Sequence, residues 1–248
     1  MPSVQLVDKK ILITAAASDL GRHLTQYYLT RGAEVISLDM AVEPLQELKQ
    51  AYSGLTCIPC DITQSKEISA AFAQIERQFG YADVLINNAS ITHNEPLFCF
   101  FRQGDRKHHL DAWQSVLDIN LTAPFVISGY FVELLAAKSN PGVIVNISSA
   151  FPSQGGKGGQ SAYAASKAGL HALSKSWSRE LRPLGIRVVS IAPDDINFIV
   201  DEAKNSVTKE TALRTLAGKE AVLDLVNLAI NHELMNGKVI DLGDSAGA

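Results

Sequence analysis

Tyr163 and Lys167 stand four residues apart in a stretch, Ser161–Arg182, whose apolar spacing predicts a helix. Residues at that spacing share one helix face and can serve one site. An ammonium beside a phenol favours the phenolate, so the pair predicts a tyrosine whose pKa is drawn toward neutrality and can act as acid or base. Ala164, Ala165, Ala168 and Gly169 keep that face uncrowded. A Tyr-x-x-x-Lys pair alone is more often a surface pair than a catalyst. Here it follows an apolar run ending in Asn146-Ile147-Ser148-Ser149 and a glycine-rich turn, Gly155-Gly156-Lys157-Gly158-Gly159, which place it at the end of a strand.

Other reactive side chains give weaker signals. Cys57-Ile58-Pro59-Cys60 closes a predicted strand rather than opening a helix, as a thioredoxin-like pair would, and no second pair completes a zinc site. It reads as structural. His93, His108 and His109 lack metal-ligand spacing and read as loop residues, so no metal is expected. Three cysteines cannot pair without a leftover thiol, which suits a reducing cytoplasm.

Elements able to position Tyr163 and Lys167 recur along the whole chain. Short apolar runs predict strands at Lys10–Thr14, Glu34–Leu38, Leu55–Pro59, Val84–Asn87, Gly142–Ser148, Arg187–Ala192 and Lys238–Asp241. Helical periodicity falls between them at Gly21–Arg31, Val42–Ala51, Ser65–Phe79, Ala112–Ala137, Ser161–Arg182 and Lys219–Asn231. The fourth of these must tolerate Pro124. Such alternation predicts an α/β fold: a doubly wound, parallel, seven-stranded sheet with helices on both faces and ligands at the carboxyl ends of the strands. No linker or repeat divides residues 1–248, so one domain is expected. Two stretches break the pattern, Pro96–His109 with its phenylalanines and basic residues, and the polar Asp194–Thr211. Both are expected as loops near the substrate.

Composition excludes other classes. A net charge of −4 with no basic stripe gives no reason to expect nucleic acid. Uninterrupted apolar runs such as Val143–Ile147 are far too short to span a bilayer, and the N-terminus shows no secretory signal. A soluble cytoplasmic protein is expected.

In order along the chain, the sequence resembles the short-chain dehydrogenase/reductase family. Thr14-Ala15-Ala16-Ala17-Ser18-Asp19-Leu20-Gly21 is similar to the family's cofactor loop, and Asn87-Asn88-Ala89-Ser90 to its Asn-Asn-Ala-Gly motif. Asn120 matches the helix asparagine, Ser149 the serine after the fifth main strand, and Tyr163 to Lys167 the Tyr-x-x-x-Lys motif. Arg187–Pro193 resembles the sixth strand. The resemblance implies a Rossmann-like domain and a nicotinamide-dependent oxidoreductase interconverting a carbonyl and a secondary alcohol. Tyr163 would be the acid/base, Lys167 would hold the nicotinamide ribose, Ser149 the substrate oxygen, and Asn120 would complete a water relay to Lys167. Ser148 is a weaker alternative to Ser149, whose separation from Tyr163 is one residue longer than usual. Thr14, Ala16, Asp19, Leu20, Gly21, Asp39, Asp61, Ile62, Asn88, Ala89, Tyr163, Lys167 and Pro193 would line the cofactor. A homodimer or homotetramer through the helices bearing Asn120 and Tyr163 is implied.

Departures from the family pattern concentrate in the cofactor loop. Ala15 and Asp19 replace its first two glycines, and only Gly21 survives. Asp19 would bring a negative charge toward a pyrophosphate at a helix N-terminus that favours anions. Ser90 replaces the glycine after Asn-Asn-Ala, and Pro193-Asp194 stands where Pro-Gly is common. Asp39, closing the second strand, can accept from both adenosine ribose hydroxyls, so NAD(H) is expected over NADP(H). Two readings remain: a working dehydrogenase or reductase acting on a small molecule, and a catalytically silent relative that uses the inherited scaffold for binding.

Overall fold

The computed structural model describes residues 6–101, 103–150, 158–193, 196–198, 209–213 and 216–242. Asp194 and the Phe151–Gly156 loop, both singled out in the sequence, lie outside the described residues.

Seven parallel strands form the main sheet: β1 (Lys10–Thr14), β2 (Glu34–Asp39), β3 (Leu55–Pro59), β4 (Val84–Asn87), β6 (Gly142–Ile147), β7 (Ile186–Ala192) and β10 (Val239–Asp241). Their order is β10-β7-β6-β4-β1-β2-β3. The chain winds outward from β1 through β2 and β3, then returns to β4 and winds the other way. The switch point between β1 and β4 opens a crevice at the strands' carboxyl ends, the usual ligand position in such sheets.

Alternation within the strands builds two cores. Ile11 and Ile13 of β1 face α1 (Asp19–Leu29) and α7 (Leu216–Asn231), packing with Leu24, Tyr28, Val222 and Val226. Leu12 between them faces the opposite layer of α3 (Ser65–Phe79), α5 (Ala123–Lys138) and α6 (Ser161–Glu180), which contributes Phe72, Ile127, Phe131 and Trp177. The short α2 (Gln46–Ala51) follows a 3₁₀ turn at Glu43–Leu45, where Pro44 occupies a position that needs no N–H.

Three departures from the expected elements bear on the site. The helix expected over Ala112–Ala137 is α4 (Leu110–Leu117), a π segment (Asp118–Thr122) and α5. Pro124 enters at the first turn of α5, where its missing N–H is tolerated. Asp194–Thr211, expected as a loop, contributes β8 (Ile196–Phe198) and part of β9 (Lys209–Leu213), which join β5 (Ile91–Thr92) in an antiparallel sheet ordered β5-β9-β8. Finally, Leu110–Lys138 is long and apolar enough by composition to cross a membrane, with an 18-residue stretch of mean hydropathy 1.5. Reading only uninterrupted runs overlooked it. In this fold it packs as a core layer, burying Ile127, Phe131 and Leu135.

Candidate active site

The cofactor loop, Ala15 to Ser18, joins β1 to α1. Ala15 adopts φ 49°, the left-handed region that costs a residue with a Cβ about 1–2 kcal/mol. The turn of the missing first glycine is therefore kept although its residue is not. Gly21 has no such latitude: a Cβ there would overlap the Ala15 carbonyl and the Ala16 backbone. Ser18 caps α1 by accepting from the Gly21 N–H at 3.2 Å.

The loop is held by its neighbours. Thr14 Oγ1 accepts from the N–H groups of Asn88 and Ala89, both at 3.0 Å. Asn88 Nδ2 donates to the carbonyls of Thr14 and Ala15 and to Ser18 Oγ. The Asp39 carboxylate accepts from the N–H of Ala17 at 2.9 Å and of Ala41 at 3.0 Å, fixing its position at the end of β2. Asp61 Oδ1 accepts from Thr63 in a turn after β3, beside the half-buried Ile62.

Asp19, expected to bring a negative charge toward the pyrophosphate, carries that charge in an ion pair. Its carboxylate meets Lys219 Nζ of α7 at 2.6 Å. A second pair, His23 to Glu220 at 3.2 Å, joins the same two helices. Asp19 does not line the crevice, whereas its neighbours Ser18 and Leu20 do.

The crevice runs from Asp39, Asp61 and Ile62 past Ser18 and Asn88 to Ala89, Ser90, Ser148, Lys167 and Pro193. At its inner end Tyr163 is fully buried, with Ser149 and Ser90 hydrogen-bonded to its side chain. Of the two candidate serines, Ser149 therefore adjoins the tyrosine, while Ser148 Oγ makes only a 3.5 Å contact with the Lys167 carbonyl. Lys167 Nζ donates to the Ile147 carbonyl at 3.0 Å and lies 5.6 Å from the centre of the Tyr163 ring.

Electrostatics here differ from the expectation of a tyrosine drawn toward ionisation. Burial raises the Tyr163 pKa well above the ordinary phenol value, and the bonds from Ser149 and Ser90 only partly oppose it. Burial also pulls Lys167 down to about 7. Desolvation penalises both charged forms and outweighs the attraction between them in this closed geometry.

Asn120 sits in the π segment, wholly buried. Its Oδ1 accepts from the Ile91 N–H and its Nδ2 donates to the Ile91 carbonyl, both at 2.8 Å, and Nδ2 also reaches Ser166 Oγ at 3.1 Å. The side chain thus clamps β5 and is not itself open to a water chain. Its main-chain carbonyl has no α-helical donor four residues on, because Pro124 has no N–H.

Ser90 was noted in the sequence only as a departure, and its bond to Tyr163 had no sequence signal. Burial explains the Cys57–Cys60 pair: it raises both thiols, Cys60 to about 11 with help from Glu67 and Asp61, which makes them poor nucleophiles.

A doubly wound parallel sheet with a crevice across its switch point, ending at a buried Tyr–Lys–Ser group, defines a Rossmann-like class of α/β protein. The short chain dehydrogenase family model matches residues 9–209, and the chain belongs to that family of oxidoreductases. It is 33% identical over 214 residues to the 3-oxoacyl-[acyl-carrier-protein] reductase FabG of Thermotoga maritima, covering 85% of this chain and 83% of that one. It is 29% identical over 243 residues to the rat 3-hydroxyacyl-CoA dehydrogenase type-2, covering 93% and 92%. A short chain dehydrogenase from Mycobacterium smegmatis superposes with a TM-score of 0.78 at 25% identity, over 98% of this chain and 94% of that one.

Proposed function

We propose that the protein is a working oxidoreductase that interconverts a carbonyl and a secondary alcohol, with Tyr163 as the acid/base. The observation that carries this reading is the buried convergence of Tyr163, Ser149 and Lys167 at the inner end of the crevice. Gly21's close packing and the elongated crevice suit a nicotinamide dinucleotide. Asp39 would hold the adenosine ribose, Asp61 and Ile62 would flank the adenine, and Lys167 would meet the second ribose. Asn88, Ala89, Leu20 and Pro193, which line the crevice, would contact it, with the buried Thr14 and Ala16 supporting them from behind. When bound, the dinucleotide supplies hydride transfer.

The chain's own residues manage the proton and the substrate oxygen. Ser149 donates to that oxygen and steadies the charge that develops on it. Tyr163, protonated by preference in its buried site, gives its proton to the oxygen during reduction and takes one back during oxidation. Lys167 lies near neutrality, so it passes between charged and neutral forms at working pH and can restore the tyrosine's proton. The Asn120 carbonyl is the group able to hold water on that path.

Asp39 leaves no space for a 2′-phosphate without charge repulsion, which favours NAD(H). The relatives' names suggest a 3-oxoacyl or 3-hydroxyacyl thioester as the first substrate to test. Replacing Tyr163 with Phe should lower turnover by about 10² or more while dinucleotide affinity stays within about twofold. Near-full activity of Tyr163→Phe on a substrate the wild type turns over would show that another group carries the proton.

A further inference from the structure

His93, Glu95 and His108 come together between the end of β5 and the start of α4, apart from the residues assigned to the oxidoreductase site. We propose that they bind a divalent transition metal of the zinc class. One ligand atom from each lies within 4.8 Å of the others. Zinc bound at about 2.0–2.1 Å with tetrahedral angles sets its ligand atoms about 3.3 Å apart. His93 Nε2 and Glu95 Oε2 are 3.2 Å apart, and His108 Nε2 is 3.9 Å from the same oxygen. The His108 nitrogen must close in on that oxygen by roughly half an ångström on that geometry.

The protonation pattern supplies an independent sign. His108 Nδ1 lies 2.8 Å from the Glu95 carbonyl, which can only accept, so Nδ1 carries the proton. In the neutral ring the lone pair is then on Nε2. That atom is buried without a hydrogen-bond partner on a side chain only 8% exposed, facing Glu95. A cluster held by hydrogen bonds alone would leave this acceptor unsatisfied at a cost, whereas a metal ion satisfies it. A backbone carbonyl on the far ring nitrogen is the usual arrangement for a metal-binding histidine.

Glu95 is prepared in the same way. His109 Nδ1 meets Oε1 at 2.7 Å and the His109 N–H donates to Oε2 at 2.8 Å, which fixes the carboxylate plane. Two imidazoles and one carboxylate suit zinc, cobalt or iron(II) better than calcium or magnesium, which prefer oxygen ligands throughout. Three protein ligands leave a fourth position for water. The ion's role follows from its place. The Glu95 N–H donates to the Gly159 carbonyl at 2.8 Å, two residues before α6 begins, and His108 closes the excursion in which Phe98 bridges Lys107. A bound metal would pin that excursion to the segment leading into the Tyr163 helix.

Untagged full-length protein, stripped with a chelator and shown to be folded by circular dichroism, is titrated with zinc and separately with cobalt. One zinc per chain is expected, with cobalt d–d absorption distinct from that of the aqueous ion. His93→Gln and His108→Gln should each weaken zinc binding by at least about tenfold. His232→Gln, on an exposed histidine outside the cluster, should not change it. Because no dinucleotide or substrate is present, the outcome is independent of the oxidoreductase reading. A wild type that binds no more zinc than the His93→Gln/His108→Gln double variant overturns the proposal. Should the variants misfold, the wild-type cobalt spectrum decides alone: aqueous-type absorption at one equivalent also overturns it.

Discussion

At the scale of single residues, burial sets the chemistry of the site. Lys167 has its pKa pulled from 10.5 to about 7, so between those values the unfolded chain binds a proton that the folded chain does not. Stability linked to this group is fully present above pH 10.5, falls as pH drops, and is lost below about 7. Half-buried His171 is lowered as well, by burial and then by Lys167, and acts in the same direction at lower pH. Tyr163 and the two raised thiols act oppositely, but only in more alkaline solution. Wild-type unfolding free energy should therefore rise between pH 7 and 9 with a slope approaching ~1.4 kcal/mol per pH unit beyond that of Lys167→Met. Denaturant titrations across that range check it; parallel curves for the two proteins would show that Lys167 is charged in the folded state at neutral pH. The sequence made Tyr163, Lys167 and Ser149 legible because their spacing is local or ordered by family motif. It could not show burial, so the direction of the tyrosine shift was misread. Ser90 was legible only as a departure and His93 and His108 only as loop residues, because the spacing of His93, Glu95 and His108 follows no helix or strand period.

At the scale of elements, the cofactor loop keeps its shape with unusual residues. Ala15 holds the left-handed turn, Asn88 and Thr14 brace it from β4 and β1, and Lys219 of α7 neutralises Asp19. The sequence revealed the missing glycines but not Lys219, which is 200 residues away in the chain. Asp19→Asn should release the Lys219 ammonium beside the N-terminus of α1 and tighten dinucleotide binding several-fold, an effect worth about 1 kcal/mol that shrinks with added salt. Lys219→Met should do the reverse, and the double variant should return near wild type. Titrations at two salt concentrations check this; if neither single variant moves affinity, the ion pair serves only to dock α7. Strand positions were legible throughout the main sheet, since β1, β3 and β4 match their expected spans residue for residue. The π segment was not, since Pro124 signals a missing N–H without fixing how the helix accommodates it, and the Asn120 bonds to Ile91 join residues 29 apart.

At the scale of the whole molecule, α5 and α6 expose a groove containing Phe125, which is 56% exposed beside Trp177. An apolar ring left in water between two long helices fits the homodimer or homotetramer that the family resemblance implies for that face. Phe125→Glu should shift an oligomer toward monomer in light scattering without unfolding it, and an unchanged mass would place the contact elsewhere. The doubly wound order of the sheet was legible from alternating strands and helices, whereas β8 and β9 were hidden in a polar, weakly periodic stretch where alternation as short as Ile196-Asn197-Phe198 carries little signal. The central claim, that this crevice takes a nicotinamide dinucleotide despite two missing glycines, is tested most directly by calorimetric titration of the wild type with NADH, using NADPH as the comparison. Saturable binding at one per chain, with NADPH at least about tenfold weaker, is the result expected from Asp39. No heat of binding up to millimolar NADH would contradict the claim and leave a family member that has given up the cofactor.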